Sequence, residues 1–401
     1  KFIFPKGGSE TYTFDVGKML EEHGHEVQYF GLENEKNTVG NRIGSYVTNM
    51  DFSQGIKANL NAPFRIIYSR EARKKIRAVL DDFQPDVVHL NNIQYHLTPS
   101  IILEINKWRK ETKKECKIVY TTHDYQLVCP SHGMFDVDMK PCERCLDGHY
   151  IHCLQTKCLK NSRAKSLLGT LDGYMWKYSK AYSYVDAYIC CSYFLKSKLD
   201  TQKRFRDKTI GLHNFKKEMP HLDNIQKKGY VLEFGHLSRD KGTDTLLEVA
   251  KKMSNTEFVF IGYGPSVDKM KDIPNVKYLG FKTGEELYRI IAEAAISVCP
   301  SEWYENCPYS VMESVLLGTP VVGSKMGGIP ELIEPGKTGE LFEAGNVEDL
   351  MKAIKKVLQT QDVLERYTKN CSQVKYETTE SYYIKLMKIY RGEKNVEQIS
   401  S

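Results

Sequence analysis

Glu305 and Glu313, with seven residues between them, frame the stretch of this 401-residue sequence in which residue type and spacing together could do chemistry. The apolar run 295–299 reads as a strand. Pro308 suits the first turn of a helix, Gly318 suits its C-terminal end, and Pro320 stops it before Val321 and Val322. The stretch therefore predicts strand, loop, helix, turn and strand, with Glu305 in the loop at the carboxyl end of the first strand and Glu313 on the helix. Both positions face the crevice where doubly wound sheets bind ligands. The backbone of Cys307, Pro308, Tyr309 and Ser310 lies at the helix start, and the positive end of the helix dipole makes that a site for an anion such as phosphate. The alternative is structural, with Glu313 solvated on the helix surface and Glu305 a partner for the first turn.

Other residues could join this pair. A second strand–loop–helix unit, Gly235-His-Leu-Ser-Arg-Asp-Lys-Gly242, puts Arg239 and Lys241 at the carboxyl end of a sheet, where cations can neutralise a diphosphate. Buried runs at 257–261 and 276–279 each end in a glycine-containing turn, bringing Gly264 and Phe281 to the place where a nucleotide base would lie. Near the front, Gly7-Gly8 follows an expected strand and opens a helix that leads to a second expected strand over 26–30, a βαβ opening followed by a long polar loop over 34–65; the two glycines let a ligand approach the backbone. It lacks the full Gly-x-Gly-x-x-Gly, and no convincing ribose-binding acid follows about 20 residues on, so a nicotinamide oxidoreductase is a weak reading. His123 closes another expected strand and is placed for a polar contact or proton transfer.

The Glu-x7-Glu spacing, the Gly318-Thr-Pro-Val-Val run after it and Gly327-Gly328-Ile-Pro-Glu331 together resemble the donor site of family-4 retaining glycosyltransferases. The resemblance covers nearly the whole chain, is strongest over 230–341, and implies an α/β fold of two Rossmann-like domains facing across a cleft, the GT-B architecture. It implies that Glu305 approaches the donor sugar and Glu313 the ribose hydroxyls. Gly7 and Gly8 would approach the diphosphate and acceptor, His123 the donor sugar, and Gly264 and Phe281 the base. In the glycine loop the family usually carries an Arg directly after the first Gly and a Lys five residues later. This chain keeps Lys241 but has His236 at the Arg position, so Arg239 must supply the charge or the phosphate site is weaker. The implied reaction moves a sugar from a UDP- or GDP-linked donor to a hydroxyl of a glycan or lipid-linked glycan, with no divalent ion required. A bacterial surface polysaccharide is the acceptor class the resemblance suggests. Two rivals stand beside it: a non-catalytic nucleotide-sugar binder, and a zinc-stapled interaction protein that binds no nucleotide.

The second rival rests on an insert. Five of the eleven cysteines fall within 129–158, and four of them read Cys142-x2-Cys145-x7-Cys153-x4-Cys158. Paired thiolates at such spacing can grip a tetrahedral ion, and a segment poor in apolar residues needs a staple to hold a shape. The sequence thus predicts a structural zinc on these four, with Cys129, His132, His149 and His152 as rival ligands and free thiols as the alternative. Asp136-Val-Asp138 matches a metal-binding Asp-x-Asp of another glycosyltransferase architecture but is too short to carry weight.

The frame that must position these residues is a two-domain chain. With 41% hydrophobic residues the sequence can bury two cores. The expected layout is an acceptor-side domain over 1–215 with the cysteine insert at about 125–160, a polar linker over 216–228, a nucleotide-sugar domain over 229–375, and a last helix in 376–401 returning to the first domain. A net charge of +6, without dense interleaving of aromatic and basic residues, argues against nucleic acid. No apolar run approaches the roughly 20 residues that span a bilayer. A helix over 68–83, basic at Arg70, Arg73, Lys74, Lys75 and Arg77, could rest on an anionic membrane, although a solvated outer face is the plainer reading. A cytoplasmic protein, peripheral at most, is expected. Because the chain opens at Lys1 inside an expected strand, a few further N-terminal residues are expected as well.

Overall fold

The computed structural model describes residues 2–4, 7–49, 62–393 and 396. The chain divides into two compact units. The first comprises Lys1–Asp138, Cys142–His213 and Glu380–Ser401; the second comprises Asn214–Thr379 with Met139–Pro141.

In the first unit, helices α1 (Gly8–Glu22), α2 (Ala62–Ile67) and α3 (Arg70–Phe83) lead to strand β1 (Val87–Asn91). There follow α4 (Ser100–Thr112), β2 (Lys117–Thr122), α5 (Ile151–Thr156), α6 (Arg163–Tyr178), β3 (Ala187–Cys190), α7 (Tyr193–Leu199), α8 (Lys203–Arg206) and β4 (Thr209–Gly211). The four strands pair in parallel in the order β1-β2-β3-β4, with Val87 opposite Lys117, Val119 opposite Ala187 and Tyr188 opposite Thr209. Parallel pairing requires a crossover between successive strands, and α4 supplies one while α5 and α6 lie in another. The Ser69 hydroxyl opens α3 by accepting the Ala72 N–H at 3.1 Å.

One expectation is corrected here. Residues 26–30, expected as a strand, are extended but unpaired with the sheet, so the expected βαβ opening is not formed by the described residues. Their backbone donors are committed elsewhere: the Tyr29 N–H goes to the Gly40 carbonyl at 2.9 Å and the Glu33 N–H to the Val47 carbonyl at 2.8 Å. A cavity of about 840 Å³ separates this segment from β1, lined by Val27, Tyr29, Val87 and His89 among others. Lys1, Pro5, Lys6 and part of the expected 34–65 loop lie outside the described residues. The basic face of α3 is partly paired. Arg73 pairs with Glu104 on α4, and Arg77 pairs with Glu111 at 2.5 Å and Asp81 at 2.9 Å. Two of the five basic residues of that face, Arg73 and Arg77, are thus ion-paired with neighbouring carboxylates.

The second unit runs β5 (Val231–His236), α9 (Thr243–Lys252), β6 (Phe258–Tyr263), β7 (Val276–Tyr278), α10 (Gly284–Glu293), β8 (Ile296–Cys299), α11 (Tyr309–Leu316), β9 (Val321–Ser324), β10 (Gly339–Phe342), α12 (Val347–Val357) and α13 (Gln361–Cys371). Its six strands are parallel in the order β10-β9-β8-β5-β6-β7. Strand side chains alternate between two buried faces, as a sheet covered on both sides demands. Val231, Phe258 and Phe260 join Leu246 and Val249 of α9 and Ile354 of α12 on one face. Leu232, Val259 and Ile261 join Ile291 of α10 on the other. The order reverses direction between β5 and β8, and the loops after these two strands carry the residues singled out above. The final helix, α14 (Thr379–Arg391), falls almost wholly within the first unit and buries Tyr382, Leu386, Ile389 and Tyr390.

Candidate active site residues

At the carboxyl ends of β5 and β8, two loops are fastened to each other. The Glu302 N–H donates to the Asp240 carbonyl at 2.9 Å. Gly242 has a φ of +79°, and a Cβ there would stand 1.8 Å from the Pro300 carbonyl oxygen, so only glycine admits this approach. Behind that joint, Glu305 is held hard. Its Oε1 accepts from Lys241 Nζ at 2.5 Å, from Trp303 Nε1 at 2.8 Å and from Ser301 Oγ at 3.3 Å. Lys241 in turn rests its ammonium 4.3 Å from the centre of the Trp303 ring. The Glu305 side chain keeps 15% of its surface exposed, enough for a ligand to reach it. From the far side, the Gly328 N–H donates to the Glu305 carbonyl at 2.7 Å, which gives Gly327-Gly328 a place in the same assembly.

Glu313 has its own lysine. Its Oε1 lies 2.6 Å from Lys216 Nζ, both side chains are about 15% exposed, and the same ammonium sits 5.5 Å from the centre of the Tyr309 ring. Helix α11 starts at Tyr309 with Pro308 as its N-cap, one residue later than expected. The amide donors at its start are correspondingly fewer than the expected 307–310 set. Pro308 has no N–H, and the Val311 N–H is bonded to the Pro308 carbonyl at 3.2 Å, so Tyr309 and Ser310 carry that role. The Cys307 side chain is buried against Met312 Sδ at 3.8 Å, and burial pushes its thiol up to about 12.

His236 ends β5, exposed, beside Tyr263 at the end of β6, with ring centres 5.3 Å apart. Tyr263 stands 5.9 Å from Phe281, which is 65% exposed, and Gly264 follows it in the chain. These rings form an open aromatic row along one edge of the sheet. Arg239 lies elsewhere in its loop: it is exposed, sits in the field of Asp244 and lines a shallow groove with Lys269 and Glu302. The structure thus brings Lys241 to Glu305 and directs Arg239 to that groove.

Sequence reasoning missed four residues of this unit. Trp303 and Ser301 lie inside the Glu305 stretch, and a donor two or four residues before a buried carboxylate was a readable signal. Lys216 was assigned to a linker, and nothing in its local sequence ties it to Glu313. Glu233 on β5 reads as a strand residue, yet it is buried, accepts from the Thr243 hydroxyl at 2.7 Å and leaves Oε2 buried without a hydrogen-bond partner. Burial pushes its carboxyl up to about 8.

In the first unit, His123 follows β2. Its Nε2 lies 2.8 Å from Asn91 Oδ1 at the end of β1, and its ring meets Tyr12 of α1 edge-on with centroids 4.9 Å apart. Desolvation pushes the imidazole down to about 4, so it is neutral near pH 7 and suits hydrogen bonding better than acid catalysis. Gly7 is the N-cap of α1 in extended backbone, and Gly8 is its first residue. A Cβ on Gly7 would meet nothing closer than Glu10 Oε2 at 3.6 Å, so the fold itself leaves room there for a side chain.

Residues 6–214 match the family described as Glycosyltransferase Family 4, and residues 214–374 match Glycosyl transferases group 1. The chain belongs to these glycosyltransferases. A Klebsiella pneumoniae protein, an uncharacterized 42.6 kDa protein in the cps region, is 23% identical over 346 residues, covering 81% of this chain and 83% of that relative. The amylovoran biosynthesis glycosyltransferase AmsK of Erwinia amylovora is 30% identical over 166 residues, 37% of this chain and 41% of its own length. Among solved structures, sucrose-phosphate synthase from Thermosynechococcus elongatus superposes with a TM-score of 0.68 at 16% identity, over 96% of this chain and 93% of that one. The Anabaena HepE protein in complex with UDP and glucose gives 0.60 at 16% identity, over 92% and 90%. The two parallel α/β units of this glycosyltransferase agree with the Rossmann-like pair expected from its sequence.

The cysteine insert of the glycosyltransferase lies between β2 and α6. Cys145 and Cys153 are buried with Tyr150, and Cys158 packs against them. Cys142 is half-buried, and its N–H donates to the Met134 carbonyl at 2.8 Å. Of the rival ligands, Cys129 is buried, His149 is held by Asp147 at 2.6 Å, His152 by Gln155 at 3.0 Å, and His132 lies 3.2 Å from the Tyr95 hydroxyl. Among the described residues, no three His, Cys, Asp or Glu side chains stand together at the spacing of a closed metal shell. No described helix is long and apolar enough to cross a membrane.

Proposed function

We propose that this glycosyltransferase moves a sugar from a UDP- or GDP-linked donor to a hydroxyl of a glycan or lipid-linked glycan, with retention of configuration, in the assembly of a surface polysaccharide. The observation that carries the donor side is the pair of lysine-held carboxylates, Lys241 on Glu305 and Lys216 on Glu313. The cps-region and amylovoran relatives support the polysaccharide class, and HepE, crystallised with UDP, supports the donor class.

The hard step is departure of the nucleoside diphosphate, whose growing charge must be met by fixed donors. Lys241 and the amides of Tyr309 and Ser310 are assigned to it, so no divalent ion is needed. Glu305 is assigned to the sugar: with Oε1 fixed by three donors, its other oxygen is given the role of orienting a hydroxyl and favouring positive charge at the ring. A leaving phosphate oxygen takes the acceptor proton on the same face, which yields retention. Glu313 is assigned to the ribose, and Phe281, Tyr263 and Gly264 to the base, whose faces stack on aromatic rings. Neutral His123 is assigned a hydrogen bond to a sugar hydroxyl, and Gly7 and Gly8 a backbone approach. His236 in place of the usual Arg, with Arg239 turned into its own groove, favours the non-catalytic binder as the second reading.

Thermal shift and donor hydrolysis with UDP, GDP and their common sugar conjugates test both. A shift with one nucleotide, release of diphosphate from one conjugate in the presence of EDTA, and loss of roughly a hundredfold or more of that turnover in Glu305→Gln are expected. Near-normal turnover in Glu305→Gln would overturn the role of Glu305. Binding without turnover for any conjugate or lipid-linked acceptor would select the second reading.

A further inference from the structure

Helix α6 shows water the face that a surface helix normally hides. Its buried residues are Ser166, Gly169, Thr170 and Trp176, so the side that meets the fold is mostly small or polar. The approach there is close. A Cβ on Gly173 would stand 2.7 Å from the Tyr150 ring, and one on Gly169 would collide with Leu159. With about 3.6 residues per turn, Leu167, Leu168, Leu171, Tyr174, Met175 and Tyr178 share the opposite third of the helix, and no charged residue falls among them. Leu167 is 44% exposed, Leu171 49% and Tyr178 71%. A helix packed on a core and facing water carries its apolar stripe inward and its polar residues outward; here the outward stripe is the apolar one.

Neighbours extend the stripe and ring it with one sign of charge. From Leu167 to Tyr178 it runs for about 16 Å along the helix axis. Tyr174 and Tyr178 stack at one end with ring centres 6.2 Å apart. Helix α2 packs against α6, Tyr68 just after it stacks on Trp176 at 6.1 Å, and Phe64 of α2 is 76% exposed. Residues 157–180 include six cations, Lys157, Lys160, Arg163, Lys165, Lys177 and Lys180, against one acid, Asp172, which accepts from Trp176 Nε1 at 2.9 Å. Lys160, Arg163, Lys165 and Lys180 are exposed, and none of the six is ion-paired with a described carboxylate. That sets α6 apart from α3, whose Arg73 and Arg77 are paired within the fold.

We propose that α6 docks this protein on an anionic phospholipid surface, lying in the plane of the interface with Leu167, Leu171 and Tyr178 toward the acyl chains and Lys160, Arg163, Lys165 and Lys180 at the headgroup phosphates. The helix lies on the bilayer and does not span it, since it has 16 residues and is not apolar on its inner side. Lysine and arginine stems cover apolar surface while their charges reach phosphate, and tyrosine suits the boundary between headgroup and chain. Charge selects lipid over a second copy of the chain. A symmetric contact through this face would bring two rings of unpaired cations together, whereas anionic headgroups neutralise them. The surface stands on α6 and its neighbours and does not depend on the transferase reading.

The test is flotation of the full chain with vesicles of phosphatidylcholine mixed with phosphatidylglycerol, and with vesicles of phosphatidylcholine alone. Binding is expected to the mixed vesicles, much weaker to the neutral ones, and falling with salt as the screening length shortens from about 10 Å at 0.1 M to about 3 Å at 1 M. The Leu167→Asp, Leu171→Asp double variant should lose roughly tenfold or more of that binding at an unchanged melting temperature, because both side chains are exposed. A second variant, Lys160→Glu, Arg163→Glu, Lys165→Glu, changes only exposed charges and should lose the preference for anionic vesicles. Arg70→Glu, Lys74→Glu on α3 should keep most of the binding. Absence of binding to the mixed vesicles, full binding by the Leu167, Leu171 variant, or an equal loss in the α3 variant would each overturn the proposal. A dimer in solution that the Leu167, Leu171 variant dissolves, without vesicle binding, would assign the face to a second copy instead.

Discussion

A carboxylate does different work according to what holds it, and this chain contains three contrasting cases in one unit. Glu305 is fixed by three donors on one oxygen, Glu313 by one lysine, and Glu233 by one hydroxyl with its second oxygen buried and unpartnered. Trp303 matters most among the neighbours because it touches both members of the first pair, through its N–H to Glu305 and its ring face to Lys241. Trp303→Phe keeps a ring and removes the N–H. A lost hydrogen bond to a charged group is worth about 1.5–3 kcal/mol, so kcat should fall roughly ten- to a hundredfold, with nucleotide affinity changed far less. A variant with unchanged kcat and a raised KM would place Trp303 in binding instead. Glu233 supports a prediction on pH. Burial lifts its carboxyl to about 8 in the folded chain, so the folded state keeps a proton that the unfolded chain releases near the ordinary glutamate value. The stability this proton brings is complete below that ordinary value and drains as pH rises through about 8. Glu233→Gln, neutral at every pH, should match wild type in urea unfolding at pH 4 and exceed it at pH 9 by roughly 3–5 kcal/mol. Parallel pH profiles for the two proteins would refute the buried, protonated state.

Loops at strand ends place these side chains, and their joints are made by backbone. Gly327 has a φ of +62°, and a Cβ there would stand 1.9 Å from the Glu305 carbonyl oxygen. Gly327→Ala must therefore push the Glu305 loop outward as well as strain its own backbone. About 1–3 kcal/mol of stability should go, and turnover should drop as far as in Glu305→Gln even though no functional side chain is altered. If Gly327→Ala melts lower but turns over normally, the joint is structural only. This glycine was legible from sequence as part of Gly327-Gly328-Ile-Pro-Glu331, as were the strand before Glu305, the helix bearing Glu313 and the turn at Gly318. All are encoded locally, in short apolar runs and in residues with special φ requirements. Lys216 was not legible in the same way. Its pairing with Glu313 spans 97 positions, and periodicity carries no information at that range. The misreading of 26–30 has a similar origin. Apolar alternation predicts a strand, but whether it joins the sheet depends on where its N–H groups find acceptors, and the Gly40 carbonyl takes that of Tyr29.

At the scale of the whole chain, the two units are unequal in how they are assembled from sequence. Apart from the short piece Met139–Pro141, the second is one continuous segment, Asn214–Thr379, whose six strands and covering helices come from that segment alone. The first is discontinuous, because the end of the chain returns to it. Tyr382 of α14 is fully buried and its hydroxyl lies 2.7 Å from that of Tyr12, which in turn meets Thr121 at 3.0 Å. His89 extends the network, 2.7 Å from both the Thr121 and the Tyr390 hydroxyls, and burial pushes its imidazole down to about 3, so it is a neutral linker between strand and helix. Removing α14 would take Tyr382 from Tyr12 and Tyr390 from His89, and an unsatisfied buried polar group costs about 1–3 kcal/mol each on top of the apolar area exposed. The expression of fragments separates these cases. A fragment of 214–379 should fold alone, melt cooperatively and bind the same nucleoside diphosphate as the full chain, since the residues assigned to the base and the ribose, and Lys241, Tyr309 and Ser310 on the diphosphate, lie within it. A fragment of 1–213 should be unfolded or aggregated, and adding 380–401 through a short glycine-rich linker after residue 213 should restore a cooperative transition. A stable, cooperatively melting 1–213 would show that α14 is an accessory to the first unit; a 214–379 that folds without binding any nucleotide would instead remove the assignment of Glu313 and Phe281 to the donor.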